Sequence, residues 1–169
     1  MLEKYEGRFE YVDGALKIDE GVYIVPHSLD GISERAKQTH MCVMVGDEIR
    51  YDDFSHEQTL VFEEEDGLVC FNSCSHSGVE IVIDEVIKAF PNRKIQAYVG
   101  GFHMMGTTGP TSCSYSKKEV RGIADGLMKT CDARFYSGHC TGTVAYQWLK
   151  EIMGERLEAF YCGKIIELS

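Results

Sequence analysis

A chain of 169 residues with 44% apolar and 26% charged side chains has enough apolar material for one packed core, which excludes a disordered segment. Its formal charge of −10 and its lack of any Lys/Arg cluster exclude the electrostatic footprint of a partner such as nucleic acid or an anionic membrane. Residues Met1-Leu2-Glu3-Lys4-Tyr5-Glu6 carry no apolar signal core, and no run approaches the about 18 apolar residues of a membrane span, so a cytoplasmic protein is expected.

Residues 1–20 show little apolar periodicity and read as a loop or loosely attached arm. Gly21-Val22-Tyr23-Ile24-Val25 and Met41-Cys42-Val43-Met44-Val45 are strand-like, joined by a polar connector that includes Ser33-Glu34-Arg35. Gln58 to Phe62 and Leu68 to Phe71 flank an acidic segment ending in Asp66-Gly67, which predicts an antiparallel hairpin. The period then changes: Val79, Val82, Ile83, Val86, Ile87 and Phe90 line one face of a helix that Pro91 stops.

A strand through Ile95, Ala97, Tyr98 and Val99 runs into Gly100-Gly101-Phe102-His103. The Gly/Thr/Ser/Pro segment 106–116 reads as a loop before a helix with Val120, Ile123, Ala124, Leu127 and Met128 on its apolar face. Strand Ala133 to Tyr136 leads to His139, and a third helix carries Val144, Trp148, Leu149, Ile152 and Met153. Glu158 to Tyr161 and Lys164 to Glu167 are read as closing strands. Alternating elements of this kind predict a layered α/β fold, and no repeat or linker divides it, so residues 1–169 form a single domain.

Seven cysteines without a CxxC pair do not make a disulfide framework. Cys42, Cys70 and Cys162 lie in apolar runs and are expected to be small buried hydrophobes. Cys74 and Cys140 stand beside His76 and His139. Thiolate is a good zinc donor, but such close neighbours seldom bind one ion together on a tight turn, so neither is expected to ligate.

Three histidines follow apolar runs and are wrapped in small residues: Ser73-Cys74-Ser75-His76-Ser77-Gly78, Gly100-Gly101-Phe102-His103 and Ser137-Gly138-His139-Cys140-Thr141-Gly142. Open α/β sheets gather their sites at the carboxyl ends of strands, so His76, His103 and His139 are read as a metal-ligand set. Zinc suits imidazole donors, as do iron and other divalent metals, so zinc, or alternatively iron or manganese, is the expected ion. His27 and His40 read as surface or packing residues, and His56 enters the hairpin through an acidic turn. No carboxylate that would orient these ligands stands out near them in sequence.

In order along the chain, Phe54-Ser55-His56-Glu57-Gln58, the block from Asn72 to Gly78, Gly100-Gly101-Phe102-His103 and the block from Ser137 to Gly142 resemble the metallo-β-lactamase-fold hydrolases. The nearest branch is that of the dihydropterin-linked aminobenzene ribosyl phosphate synthase-like proteins, and the likeness runs from about residue 52 to 168. It implies an αβ/βα sandwich of two similar halves, a mixed sheet flanked by helices in each, with one or two ions at an edge. By position His76 matches the first metal-binding histidine of the second half and His139 the last. His103 stands where many members place a bridging aspartate, as a metal ligand or a catalytic substrate contact.

The family's first-half His-x-His-x-Asp-His cluster has no counterpart, since no two of the six histidines are two positions apart. The resemblance therefore covers the C-terminal half, at residues 52–169, with 1–51 as connecting region and first strands. Removing half of a sandwich exposes an apolar face, so a first-half chain or a homo-oligomer is the expected partner. The resemblance implies a hydrolase or its component, in which metal-bound hydroxide attacks an ester, phosphoester or amide of a small-molecule substrate. A catalytically degenerate binding or assembly module and a mononuclear metal-binding protein are the alternatives.

Overall fold

The computed structural model describes residues 2–5, 7–27 and 32–168. Its centre is a seven-stranded mixed sheet formed by β1 (Leu16–Asp19), β2 (Val22–Pro26), β5 (Gln58–Glu64), β6 (Gly67–Phe71), β7 (Ile95–Val99), β10 (Arg134–Ser137) and β11 (Leu157–Ala159), in that spatial order. The first four are antiparallel neighbours; from β6 to β11 each strand is parallel to the next. The carboxyl ends of β6, β7 and β10 therefore lie side by side, with Phe71 beside Val99 and Val99 beside Tyr136.

Three helices make the parallel connections and cover one face. The helix α2 (Val79–Ala89) buries Val79, Val82, Ile83 and Val86 on its apolar stripe and ends at Phe90, before Pro91. In α3 (Lys117–Thr130) a capping box fixes the start: Ser116 accepts from the Glu119 amide and Glu119 reaches back to the Ser116 amide. Val120, Ala124 and Leu127 face inward. The helix α4 (Thr143–Met153) buries Ala145, Leu149 and Met153 and stops at Gly154, whose φ of 53° suits glycine. With Leu68, Cys70, Tyr98, Phe102 and Phe135 from the sheet side, these residues form the main core.

The supposed arm contributes β1, an edge strand pairing Leu16 with Ile24; short edge strands carry too few residues for a legible alternation. The polar connector contains α1 (Ile32–Thr39), while residues 28–31 of that connector lie outside the described residues. The second predicted strand is β3 (Cys42–Val45), which pairs with β4 (Glu48–Tyr51) in a hairpin apart from the main sheet. The 106–116 loop contains another small hairpin, β8 (Met105–Gly106) with β9 (Gly109–Cys113).

Lys164 to Glu167 are not a strand: Ile166 packs on the sheet face opposite the helices, and Lys164 bonds to Glu158 at 2.6 Å. Cys70 is buried as expected, but Cys42 and Cys162 are exposed, because the hairpin and the final segment that hold them lie outside the core. No helix among the described residues is long and apolar enough to cross a membrane.

Candidate metal centre

The turn after β6 is shaped by two buried polar side chains. Asn72 accepts from the Ser75 amide through Oδ1 at 3.1 Å and donates from Nδ2 to Thr59 Oγ1 at 2.9 Å. The same amide nitrogen lies 3.2 Å from His27 Nε2. Thr59 Oγ1 lies 3.1 Å from the same ring nitrogen, while His27 Nδ1 is buried without a hydrogen-bond partner among the described residues. His27 is 2% exposed, and burial lowers its pKa. Ser75, held at a φ of 54°, donates to the Gly101 carbonyl at 2.8 Å and bonds to the buried Tyr98 hydroxyl.

Glu57 fixes the next two residues. One carboxylate oxygen accepts from the His76 amide at 2.8 Å and lies 3.2 Å from His76 Nδ1; the other accepts from the Ser77 amide at 3.0 Å and the Ser77 hydroxyl at 2.8 Å. Burial would raise the Glu57 pKa, but these hydrogen bonds prevail and hold it at about 2. The carboxylate that sequence proximity did not reveal thus comes from 19 residues before His76. Its signal in the sequence is the Phe54-Ser55-His56-Glu57-Gln58 block, in which Glu57 directly follows His56. His56 itself is largely exposed, 3.8 Å from Asp52. Phe54, buried at a φ of 51°, lies against the His76 ring with centroids 5.7 Å apart.

The end of β7 passes between its neighbours with little clearance. Gly101 donates to the Ser73 carbonyl at 2.9 Å, Phe102 to Thr141 Oγ1 at 3.0 Å, and Met104 to the Cys140 carbonyl at 3.0 Å. A Cβ on Gly100 would overlap the Asn72 carbonyl, and one on Gly101 would overlap the Cys140 sulfur. These approaches explain the paired glycines. They deliver His103, at a φ of 47°, with its ring 4.4 Å from that of His76 and nearly perpendicular to it. Non-glycine residues in this backbone region are strained, and Phe54, Ser75, His103 and His139 gather such strain around one site.

His103 Nδ1 is buried without a hydrogen-bond partner among the described residues. Burial, and after it the neighbouring His76, lowers the His103 pKa to about 4, so the ring is neutral and ready to donate a lone pair near pH 7. The turn after β10 is a single 3-10 turn, His139–Thr141, braced by Ser137 and Thr141 hydroxyls 2.7 Å apart. His139 is exposed on it at a φ of 50°, whereas Cys140 is buried and donates from Sγ to the Cys74 carbonyl at 3.6 Å.

The structure thus brings His76 and His103 together, and it places a His103 ring nitrogen and the sulfurs of Cys74 and Cys140 within 4.8 Å of one another. His139 shares the Cys140 turn but is outside that group. The donor set fits a divalent ion: a carboxylate-oriented imidazole, a neutral imidazole with an unmet ring nitrogen, and two thiols on the adjoining turns.

No protein-family model matches the chain. It is 25% identical to the 7,8-dihydropterin-6-methyl-4-(β-D-ribofuranosyl)-aminobenzene-5'-phosphate synthase of Methanocaldococcus jannaschii, over 98% of this chain and 55% of that protein. Its structure is similar, with a TM-score of 0.73 and 24% identity, to that of a metal-dependent hydrolase of the β-lactamase superfamily, covering 94% of this chain and 58% of the other. The chain therefore spans a little over half the length of each. The fold is that of the β-lactamase superfamily, as the four sequence blocks implied, and the partial coverage fits a half domain.

Proposed function

We propose that this chain is a metal-dependent hydrolase component whose site lies on the carboxyl ends of β6, β7 and β10. The observation that carries this reading is the perpendicular His76–His103 pair, one ring anchored by a buried carboxylate and the other with an unmet ring nitrogen. His76, His103 and His139 are the proposed ligands of one or two ions, zinc or alternatively iron or manganese. Such an ion, when bound, supplies a Lewis acid and lowers the pKa of coordinated water.

The chain's own residues set the stage for that chemistry. Glu57 accepts from His76 Nδ1, which fixes the ring and leaves Nε2 as the free donor. His103, neutral and beside His76, is the catalytic candidate, able to hold or orient a small-molecule ester, phosphoester or amide. The name of the M. jannaschii synthase includes a 5'-phosphate, which places phosphoesters first among the substrates to try.

The remaining donors are proposed to come from a polypeptide segment bearing the His-x-His-x-Asp-His cluster. Its proposed dock is the rim of the sheet face opposite the helices, where Phe71 is 40% exposed beside Phe62, next to a cluster of Val69, Ala97, Val99 and Tyr136 that is already buried with Ile166 packed against it. Mixing the chain with a first-half polypeptide and assaying metal content and phosphoester hydrolysis tests this. Two ions and activity that disappears in His76→Ala are expected. No gain on mixing contradicts the reading and favours a binding or assembly module.

A further inference from the structure

Two thiols and one imidazole converge from three separate strand ends: Cys74 after β6, His103 after β7 and Cys140 after β10. We infer that Cys74, His103 and Cys140 form a thiolate-bearing metal position that selects a thiophilic ion such as zinc over magnesium or manganese. It shares His103 with the hydrolase site proposed above but does not depend on hydrolysis.

Geometry is the first support. A tetrahedral ion with bonds of about 2.3 Å to sulfur and about 2.0–2.1 Å to nitrogen separates its ligands by roughly 3.5–3.8 Å. The three donor atoms already lie within 4.8 Å of one another, so closing on an ion requires only small side-chain rotations. The backbone supplies the second support. Gly101 lies where any Cβ would overlap the Cys140 sulfur, so the glycine makes room for that sulfur beside His103.

The third support is the His103 ring, whose buried Nδ1 lacks a hydrogen-bond partner among the described residues while its backbone is held at a strained φ. Two thiolates and a neutral imidazole around a divalent cation also sum to zero charge, which suits a half-buried position. Cys74 is only partly buried, so the group can be reached by an ion from solvent. Thiolate donors favour zinc and ferrous iron, while magnesium and manganese prefer oxygen.

Cobalt(II) titration of the reduced full chain tests the inference, in a Cys42→Ser/Cys162→Ser background that removes the exposed thiols. One cobalt per chain with a thiolate-to-cobalt charge-transfer band is expected, displaced by zinc and not by magnesium. Cys74→Ser and Cys140→Ser should each remove about half of the band and weaken zinc by more than the roughly 10–100-fold seen when an outer-sphere partner is lost. Circular dichroism shows whether each variant is folded.

His76→Ala and His139→Ala should retain the band. Absence of the band from folded protein, or a band unchanged in both cysteine variants, overturns the inference. A band without hydrolysis by the complemented protein counts against the hydrolase reading alone; metal-dependent hydrolysis without the band counts against the thiolate position alone.

Discussion

Glu57 bears more of the site than any histidine does, because four polar groups of the His76 turn converge on its two oxygens. Glu57→Gln removes the charge while keeping the shape. It should destabilise the fold by about 1.5–3 kcal/mol, the range for hydrogen bonds to charged groups, as read by urea denaturation. His27 acts one layer further back. Its pKa is 6.5 when unperturbed and lower in the fold because of burial, so between the two values the unfolded chain binds more protons. Stability therefore rises with pH through that window and falls on acidification below about pH 6.5. The stability advantage of wild type over His27→Gln should shrink as pH is lowered; a difference independent of pH contradicts this. Neither residue was legible as a contributor to the site. Glu57 is remote in sequence from the histidine it anchors, and His27, which reads as a surface or packing residue, meets Thr59 and Asn72 only in the fold.

At the scale of elements, what the sequence made plain was what repeats. The helices α2, α3 and α4 carry several turns of apolar stripe, and the β5–β6 hairpin carries alternation with an Asp-Gly turn, so periodicity located them. The edge strand β1, the short α1, the strand β4 and the hairpin β8–β9 bury little, so pattern had no hold on them, whereas the apolar run of β3 was legible as a strand. Of the two closing strands the first is β11, shifted to Leu157–Ala159, and only the second failed: Lys164 to Glu167 are apolar enough for a strand, but Ile166 lies across a sheet face rather than along an edge. The strand ends were legible as a set, since glycine and serine surround each histidine. Which neighbouring side chain turns inward was not, because the φ of 50° at His139 that leaves it exposed beside buried Cys140 is a local backbone choice. Glycine substitutions separate these effects. Gly100→Ala, which drives a Cβ into the Asn72 carbonyl, should cost about 1–3 kcal/mol, while Gly122→Ala, in open space on α3, should stabilise by about 0.5–1 kcal/mol. Thermal or urea unfolding measures both.

At the scale of the whole molecule, one sheet face is packed under three helices, and on the other Val69, Ala97, Val99 and Tyr136 are buried with Ile166 of the final segment packed against them, which leaves Phe71 exposed. Phe71, at 40% exposed, sits in that second face beside Phe62, with ring centroids 5.7 Å apart. Without its proposed partner the chain should self-associate through this face, and Phe71→Asp should return it to the 19.0 kDa monomer in sedimentation velocity. A wild-type chain that sediments as a monomer contradicts the prediction. On the proposed reading, three parallel strands bring their donors to one edge, and the polypeptide bearing the His-x-His-x-Asp-His cluster brings the rest. His103 is the residue common to both proposed donor groups, with the His76 ring 4.4 Å away and the sulfurs of Cys74 and Cys140 within 4.8 Å of one of its ring nitrogens. Equilibrium dialysis of zinc against reduced wild-type chain and His103→Ala therefore tests the metal centre most directly. Binding that is lost or weakened by more than about tenfold in the folded variant is the predicted result; unchanged affinity and stoichiometry would contradict it.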